Sequence, residues 1–411
     1  MKENLEIATF ISSSKKDLRK QLKGYQLLLD RTRNMSSAIP SKQMAEIMRK
    51  ITQCNDAMEI IESSARDAYV KATGYAQKNL SVRREPQRYA KYSYDPLLGV
   101  TQYPLMFHLL ILAITEGGLR ILMKQRGFVR KTVGQISYYY HDGLPLNADD
   151  EVMHNTHQSK YSSTSFADED ESQSLPIVFV HGIGIGLLYY ISLIDKFLTL
   201  NCPIFLPEIP YVTGFRTWLS PQSVLSPGAV GSSLTAVLAA HGFLKSHFIG
   251  HSYGTSWLSY MCKYSPNVVE SVTFIDPICF CLHIPFLTKQ FVYHRPDPGS
   301  TSNFVRTDVI INWTIQRSFP WSRISLFVED IPVHKISVFL SELDALVPVE
   351  RVKKYLKEND ARLCSDFEQK EHLENGYISI NMFHRIGHGD WVESEKMMDQ
   401  IVFSLKIMKN S

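Results

Sequence analysis

The sequence has little of what marks several protein classes. It holds six cysteines in 411 residues and no Cys-x-x-Cys pair, which argues against a zinc ribbon or a disulfide framework. It has no Lys/Arg-rich block and a formal net charge of only +3, so a nucleic-acid partner is not expected. Hydrophobic residues make up 44% of the chain and charged residues 21%, which indicates a globular protein rather than a disordered one.

The first residues, MKENLEIATFISSSKK, contain glutamates and no continuous apolar stretch. They do not match a secretory signal peptide, and their acidic residues count against a transit peptide. A cytoplasmic, reducing location is therefore expected, and Cys279 and Cys281, two positions apart in an apolar run, are expected to be buried thiols.

One apolar run lies at Pro104–Thr115, with the sequence PLMFHLLILAIT. A membrane-spanning helix needs about 20 apolar residues, so this run alone is too short to span. The pattern favours a helix buried in the core, with peripheral contact with a membrane surface as the alternative.

The chain divides by composition into three parts. Apolar residues at helical spacing predict a helical hairpin at residues 1–80 that packs on the main domain or on a partner, and residues 81–130 form a linker with the apolar helix. The main domain is expected at residues 131–408. Within it, residues 147–174 are strongly acidic and poor in apolar side chains, which predicts a mobile surface insertion.

Short β-branched runs alternate with helical stretches in the second half of the chain. This alternation predicts an α/β domain with a mainly parallel sheet, whose working groups lie at the carboxyl ends of the strands. The predicted strands are Ile177–Val180, Ile204–Leu206, His247–Ile249, Val272–Ile275, Ile336–Leu340 and Tyr377–Asn381.

The strongest motif is Gly250-His251-Ser252-Tyr253-Gly254, which lies between the strand-like SHFIG and the helical TSWLSYMCKY. A Gly-x-Ser-x-Gly sequence at a strand–turn–helix junction is a nucleophile elbow. The serine sits on a strained turn, and the glycines let the strand and the helix approach closely. The motif predicts Ser252 as a nucleophile.

A second glycine motif, His181-Gly182-Ile183-Gly184, follows the first buried strand. A loop in this place is expected to supply half of an oxyanion hole, with the backbone N–H of Ile183 as donor. The second donor is expected to be the N–H of Tyr253, the residue after the nucleophile. His181 itself is expected to be structural.

A serine nucleophile needs a histidine base that a carboxylate orients, and in this fold class the chain order is Ser, acid, His. Asp344 follows the predicted strand KISVFLS, and His388 lies between two glycines after the last predicted strand. Both positions are at carboxyl ends of strands and can converge on Ser252. They are the predicted acid and base.

Rival residues exist for both roles. Asp276, in FIDP, also ends a strand and is the alternative acid. Glu342 is a minor candidate because it lies two residues before Asp344. His384 competes with His388 for the role of base, but it lies at the edge of a predicted strand.

The segments HGIG, GHSYG, ELDALVP and GHGDW resemble those of the α/β-hydrolase superfamily over roughly residues 130–408. The motifs HGIGIG, GHSYGT and DPICF are similar to those of uncharacterised hydrolases from fungi, algae and protists. The resemblance implies an eight-stranded sheet, the triad of Ser252, Asp344 and His388, and an oxyanion hole at Ile183 and Tyr253. The acidic insertion is expected to shorten or displace the first strands, and residues 1–80 lie outside the usual fold.

Residues 278–334 lie between two predicted strands, at the place where this fold carries its cap. A cap rich in aromatic side chains suggests an apolar acyl or alkyl pocket. The aromatic residues are Phe280, Phe286, Phe291, Tyr293, Phe304, Trp313, Phe319, Trp321 and Phe327.

The sequence thus predicts a serine esterase or lipase-like enzyme that acts on an apolar or lipid-like ester and needs no metal or organic cofactor. Acyltransferase, peptidase and cofactor-free C–C hydrolase chemistry share the same triad and stay open. The non-enzymatic alternative is a hydrolase-like scaffold that binds a partner or a membrane.

Overall fold

The computed structural model describes residues 20–21, 50, 97, 99–144, 174–214, 216, 224–294, 296–363 and 378–410. The chain divides into two units, Met1–Ala90 and Lys91–Ser411, and all but three of the described residues belong to the second. The hairpin predicted at residues 1–80 and the acidic insertion predicted at residues 147–174 lie outside the described residues, apart from positions 20, 21, 50 and 174.

Within the described residues, nine strands form one mixed sheet with the spatial order β1-β2-β4-β3-β5-β6-β7-β9-β8. The strands are β1 Val129–Val133, β2 Ile136–His141, β3 Ile177–Val180, β4 Ile204–Pro207, β5 Ser246–His251, β6 Val269–Ile275, β7 Ile336–Ser341, β8 Arg362–Leu363 and β9 Ser379–Phe383.

Strand β2 runs antiparallel to both of its neighbours, β1 and β4, and every other neighbouring pair is parallel. The mainly parallel α/β sheet predicted from the sequence is therefore confirmed.

Two details of the sheet differ from the sequence-based expectation. Strands β1 and β2 have five and six residues and pair in full ahead of the insertion, and the two-residue edge strand β8 raises the number of strands to nine.

Helices cover both faces of the sheet, as a parallel sheet requires. They are α1 Leu105–Leu112, α2 Leu119–Gln125, α3 Ile191–Leu198, α4 Pro227–Ala240, α5 Gly254–Tyr264, α6 Thr301–Thr307, α7 Val309–Arg317, α8 Trp321–Ile324, α9 Val349–Lys357 and α10 Glu395–Asn410. Short 3-10 turns lie at Gly186–Tyr190, Pro210–Val212, Pro266–Val268, Val328–Asp330 and Asp390–Glu393, and π-helical turns at Ala113–Gly118 and Thr288–Tyr293.

Alternate residues of the central strands enter two separate cores, since successive strand side chains point to opposite faces. In β3, Val178 and Val180 pack in a core with α4 and α5, whereas Ile177 and Phe179 pack in a core with α3 and α10. Because both faces are covered, β3 is apolar at every position, which explains its continuous rather than alternating sequence pattern.

The apolar run at Pro104–Thr115 differs from the buried helix that the sequence favoured. It starts a longer helix, Leu105–Gln125, in which α1 continues through a π-helical turn into α2. None of the residues of α1 is buried. By length and composition alone this 21-residue helix could cross a membrane, with a mean hydropathy of 1.7 and 11% of its most apolar window buried.

Residues 278–334 occupy the connection between β6 and β7 and carry α6, α7 and α8. Phe280 and Phe319 are buried against the main core, whereas Trp313 and Phe327 are exposed. Cys279 and Cys281 are buried thiols, as was expected, and Cys202 and Cys262 are buried as well.

Candidate active site

The predicted nucleophile lies on a tight turn between β5 and α5. All six residues of β5 are buried, and α5 begins two residues after Ser252. Ser252 has φ = 53°, in the left-handed region that non-glycine residues seldom adopt. Its N–H donates to the carbonyl of Ile275 in β6, at 3.0 Å. The strained turn lifts the serine side chain out of the sheet at the carboxyl end of β5.

The glycines on either side of the serine are needed because the strand and the helix touch there. A Cβ at Gly250 would lie 2.8 Å from the side chain of Leu258 and 2.9 Å from the backbone of Gly254. A Cβ at Gly254 would lie 2.1 Å from the carbonyl oxygen of Val180 in β3. Neither position can carry a larger side chain without moving the backbone.

The three residues predicted as a triad come together across three strands. Ser252 follows β5, Asp344 follows β7 and His388 follows β9. The Oγ of Ser252 is 2.7 Å from Nε2 of His388, and Nδ1 of His388 is 2.6 Å from Oδ2 of Asp344. These are hydrogen-bond distances, so the three side chains form one continuous chain.

The turn after β7 holds the carboxylate of Asp344 in one orientation. Its Oδ1 accepts the backbone N–H groups of Leu346 and Val347, at 2.7 and 2.8 Å. Only Oδ2 is directed at His388. Because the carboxylate accepts a hydrogen bond from the Nδ1–H group, the unprotonated Nε2 of a neutral His388 faces Ser252.

Charge around His388 favours its protonated form. Burial alone would lower its pKa, but the charge of Asp344 and its hydrogen bond, with a further contribution from the charges of Asp276 and Asp390, raise the pKa to about 9. A histidine with this pKa is a strong proton acceptor when it is neutral.

The predicted oxyanion donors are the backbone N–H groups of Ile183 and Tyr253, which lie in the two glycine motifs. In the HGIG loop the N–H of Gly182 donates to the Tyr190 hydroxyl, and the N–H of Gly184 donates to a carbonyl. Among the described residues, the N–H groups of Ile183 and Tyr253 donate to no backbone carbonyl. A Cβ on Gly182 would lie 3.1 Å from Cβ of Ser252, so this loop borders the serine.

The rival candidates have other partners. Glu342 accepts the N–H of Arg385 at 2.9 Å and lies 3.3 Å from Nδ1 of His384, and both side chains of this pair are exposed. His181 is buried; its Nε2 accepts the N–H of Ile209, and burial lowers its pKa to about 4, which keeps the ring neutral.

Asp276, the alternative acid, is fully buried and lies close to the predicted triad. The three side chains are close together: one carboxylate oxygen of Asp276, one of Asp344 and one ring nitrogen of His388 lie within 4.8 Å of one another. Its hydrogen bonds, however, go to Ser341 and to the backbone N–H of Gly389. The acid that is hydrogen-bonded to His388 is Asp344.

One residue at the site was not predicted from the sequence. The hydroxyl of Tyr190 accepts the N–H of Gly182 and lies 2.7 Å from Nδ1 of His251. Nothing in the segment GLLYY distinguishes Tyr190 from Tyr189 before the fold is known. Burial is the distinguishing property, since Tyr190 is 2% exposed and Tyr189 is 38% exposed.

No family model matches the chain, and no curated protein matches it. Solved structures with a similar fold include a membrane phospholipase A that is a bacterial virulence factor, at 12% identity and a TM-score of 0.46, covering 74% of this chain and 94% of that one. Another is a carboxylesterase from Bacillus subtilis, at 12% identity, a TM-score of 0.45, and coverage of 73% and 98%.

A putative lipase from Acinetobacter baumannii is similar at 16% identity and a TM-score of 0.44, over 76% of this chain and all of that one. Likeness at this level says nothing about activity, and the resemblance to hydrolases of fungi, algae and protists stays a prediction. The order and direction of the strands, with a serine turn between β5 and α5, are those of the α/β-hydrolase fold, as the sequence predicts.

Proposed function

We propose that the chain is a serine hydrolase that cleaves carboxylic esters through an acyl-enzyme intermediate. The observation that carries the proposal is the unbroken chain from Ser252 through His388 to Asp344, with contacts of 2.7 and 2.6 Å. The backbone strain at Ser252, whose φ is 53°, costs free energy that a purely structural role would not require. This arrangement is the one that activates a serine hydroxyl for acyl transfer.

In the acylation step, Oγ of Ser252 attacks the ester carbonyl carbon while Nε2 of His388 takes the hydroxyl proton. The carbonyl oxygen becomes an oxyanion, which the N–H groups of Ile183 and Tyr253 receive. Asp344 stabilises the imidazolium that forms. The C–O bond then breaks, and the leaving alkoxide takes the proton from Nε2 of His388.

In the deacylation step a water molecule takes the place of the alcohol. His388 removes its proton as the water oxygen attacks the acyl carbon, and the same two N–H groups hold the second oxyanion. Collapse breaks the bond to Oγ of Ser252, which regains a proton from His388, and the carboxylic acid leaves. Since His388 must be neutral to act as base, kcat/KM should rise with pH through its pKa of about 9.

A small apolar cleft, with room for about one water molecule, lies between the start of the connection 278–334 and the turn that follows Asp344. Val347, whose N–H binds Asp344, is part of its wall, so the cleft adjoins the proposed acid. The remaining lining is Ile278, Phe280, Cys281, Leu282, Ile284, Leu287, Leu346 and Pro348. A wall of this kind favours an apolar acyl or alkyl group, which deepens the proposal to an apolar or lipid-like ester.

A series of p-nitrophenyl esters of increasing acyl length tests the proposal. Each methylene that packs on the apolar wall of the cleft contributes about 0.8 kcal/mol, so kcat/KM should rise about fourfold per methylene over the first carbons of the acyl chain. Steady-state kinetics across the series measure this. One equivalent of a fluorophosphonate should abolish the activity, because it reacts with an activated serine.

Two results would count against this proposal. Ester hydrolysis that survives complete fluorophosphonate labelling would show that another group performs the chemistry. Activity that is equal for acetate and for longer acyl chains would remove the apolar cleft as the acyl site, while leaving the serine mechanism in place.

We also propose that the exposed helix α1 binds a membrane by inserting into one leaflet of a phospholipid bilayer. A helix that is apolar all round belongs in a protein core or in lipid, and none of the residues of α1 is buried. The exposed apolar side chains of this helix and its continuation are Leu105, Met106, Leu109, Leu110, Ile114 and Ile121.

The charged residues that follow α1 indicate that this helix inserts shallowly into a membrane rather than spanning it. The uncharged stretch from Leu105 to Thr115 covers about 16 Å at 1.5 Å per residue, which matches one leaflet. Glu116, the first charged residue, is paired with Arg120 at 3.2 Å and with Arg216. The exposed cations of Arg120 and Lys124 follow, where phosphate headgroups would lie.

This helix contacts the connection 278–334 at one end and the HGIG loop, which borders Ser252, at the other. The ring of Tyr103 stacks on that of Phe107 at 4.9 Å, and Phe304 of α6 lies 5.9 Å from Tyr103. At the other end, Leu119 lines a small cleft with His181 of the oxyanion loop. Insertion of α1 would therefore bring the connection 278–334 and the HGIG loop toward the lipid surface.

Liposome flotation tests the membrane contact. Wild-type protein should float with phosphatidylcholine vesicles, and more completely when phosphatidylglycerol is added. The double substitution Leu109→Glu/Leu110→Glu buries two charges in hydrocarbon, at about 2.5 kcal/mol or more each, so flotation should be lost.

Leu244→Glu is the matched control, because Leu244 is a 53% exposed leucine on a turn far along the chain from α1. It should float like the wild type. The proposal is rejected when wild-type protein stays at the bottom of the gradient, or when the double variant floats as well as the control. A dimer that the double variant alone disrupts would identify a second copy of the chain as the occupant.

A further inference from the structure

Beneath Ser252 and His388 lies a second set of buried polar side chains that the acyl-transfer steps do not use. The Tyr190 hydroxyl accepts the N–H of Gly182 at 3.1 Å and is 2.7 Å from Nδ1 of His251. On the other side of the ring, Nε2 of His251 lies 3.6 Å from Oδ2 of Asp276. The four groups form a line from the oxyanion loop to the end of β6.

Asp276 extends this line to the two other loops of the site. Its Oδ1 accepts the N–H of Ser341 at 2.9 Å, and its Oδ2 accepts the Ser341 hydroxyl and the N–H of Gly389, both at 3.0 Å. Ser341 is the last residue of β7, three positions before Asp344, and Gly389 directly follows His388. One carboxylate therefore holds the segments that carry the proposed acid and base.

The imidazole of His251 fills the space under the His388 loop. Its ring centroid is 5.2 Å from that of His388 and 5.3 Å from that of Trp391. A Cβ on Gly389 would lie 3.3 Å from Cε1 of His251, and Gly389 has φ = 83°, so the loop reaches this contact only as glycine. The His388 loop therefore packs directly against the ring of His251.

The protonation of this network follows from its contacts. The Tyr190 hydroxyl accepts a hydrogen bond from the Gly182 N–H, and its own O–H donates a hydrogen bond to Nδ1 of His251. Nε2 of His251 then carries its proton toward Asp276. Burial lowers the pKa of His251, which keeps the ring neutral, while Asp276 stays charged because His251, the nearby His388 and the Gly389 N–H outweigh its burial and lower its pKa.

Two carboxylates consequently act on His388 from different strand ends. Asp344 is hydrogen-bonded to it, and Asp276 lies within 4.8 Å of it without such a bond. The other titratable groups around it are His251 below and Asp390 in its own loop. The negative charge of Asp276 stabilises the imidazolium form that the reaction creates.

We infer that Tyr190, His251 and Asp276 form a positioning network for the proposed esterase. It fixes the oxyanion loop relative to the His388 loop, and its charge strengthens His388 as a base. The inference rests on the proposed function. Tyr190 and His251 set the place of the loop that carries the Ile183 donor, and Asp276 acts through His388 rather than as the acid hydrogen-bonded to it.

The experiment compares Tyr190→Phe, Asp276→Asn and wild type in kcat, KM and the pH profile of kcat/KM on one p-nitrophenyl ester. Tyr190→Phe leaves the Gly182 N–H without its acceptor, so kcat should fall between tenfold and a hundredfold with little change in KM, because the oxyanion donor acts in the transition state. Its pH profile should keep the wild-type shape, since no charge changes.

Asp276→Asn removes a charge near His388, which lowers the pKa of His388. The ascending limb of log kcat/KM should therefore move to lower pH by about one unit or more, while the maximal kcat falls. A residue that only stabilised the fold would lower the thermal midpoint and leave this limb in place.

Tyr139→Phe is the matched control, because it also removes the hydroxyl of a buried tyrosine, one that has no hydrogen-bond partner among the described residues. It should keep wild-type kcat.

The inference is overturned by a Tyr190→Phe variant whose kcat equals that of this control, or by a folded Asp276→Asn variant whose ascending pH limb equals that of the wild type. When Asp276→Asn does not fold, Tyr190→Phe decides alone. Wild-type protein that neither hydrolyses esters nor reacts with fluorophosphonate overturns the proposed function itself, and the network role with it.

Discussion

Ser252→Ala should lower kcat for ester hydrolysis by about five orders of magnitude and abolish labelling by a fluorophosphonate. The substitution deletes the single atom, Oγ, that lies 2.7 Å from Nε2 of His388. Alanine tolerates φ = 53° no worse than serine does, so the turn and the fold should stay intact. Initial rates on a p-nitrophenyl ester and gel-based probe labelling measure the two effects, and circular dichroism checks the fold.

Ser259→Ala is the control for this loss. Ser259 lies in α5, seven residues after Ser252, is fully buried, and its hydroxyl has no partner among the described residues. The control should keep activity and labelling. Ser252→Ala protein that retains more than a thousandth of the wild-type kcat, or that still reacts with the probe, would place the nucleophile elsewhere.

The part of the fold that the sequence predicts best is the part where local pattern and burial agree. Strands β3 and β7 are buried at every position because helices cover both faces, so a short run rich in apolar and β-branched residues is enough to find them. The serine turn is recognisable in the sequence because Gly250 and Gly254 lie so close to neighbouring backbone atoms that any larger residue would clash there. Loops after such strands are then obvious places to seek Asp344 and His388.

What the sequence does not disclose depends on contacts between distant segments. Tyr190 is 61 residues before His251, and Gly389 is 113 residues after Asp276. Yet the Tyr190 hydroxyl is hydrogen-bonded to the His251 ring, and the Gly389 N–H is hydrogen-bonded to the Asp276 carboxylate. No local pattern encodes such pairs. The position of Asp276 at a strand end shows only that it is near the site. Whether it acts as the rival acid or as a supporting charge depends on which groups its oxygens contact.

The apolar run at Pro104–Thr115 shows a second kind of failure. Composition alone cannot separate a core helix from one that faces lipid, because both are apolar on all sides. The length was also underestimated, since the helix continues past Glu116 to Gln125 although its apolar stretch stops. The pairing of Glu116 with Arg216, 100 residues later, lets a charged residue continue the helix at that point.

Asp344→Asn should lower kcat by about four orders of magnitude, the second largest effect expected here. The reason is the pair of N–H groups from Leu346 and Val347, which hold Oδ1 at 2.7 and 2.8 Å. In the variant these donors keep the amide oxygen, so the amide NH₂ takes the place of Oδ2 and donates to Nδ1 of His388. The imidazole then carries its proton on Nε2 and cannot accept one from Ser252.

The wrong tautomer and the lost charge also predict a pH effect. Without the Asp344 charge the pKa of His388 falls, so the residual kcat/KM should reach its plateau at lower pH than the wild type, while staying far below it. Glu342→Gln is the control, since this exposed carboxylate two residues earlier pairs with His384 instead. It should keep wild-type kcat and the wild-type pH limb. If Glu342→Gln were the damaging change and Asp344→Asn the silent one, the acid would lie on the other side of the turn, and the hydrogen bond from Nδ1 of His388 to Asp344 would be structural only.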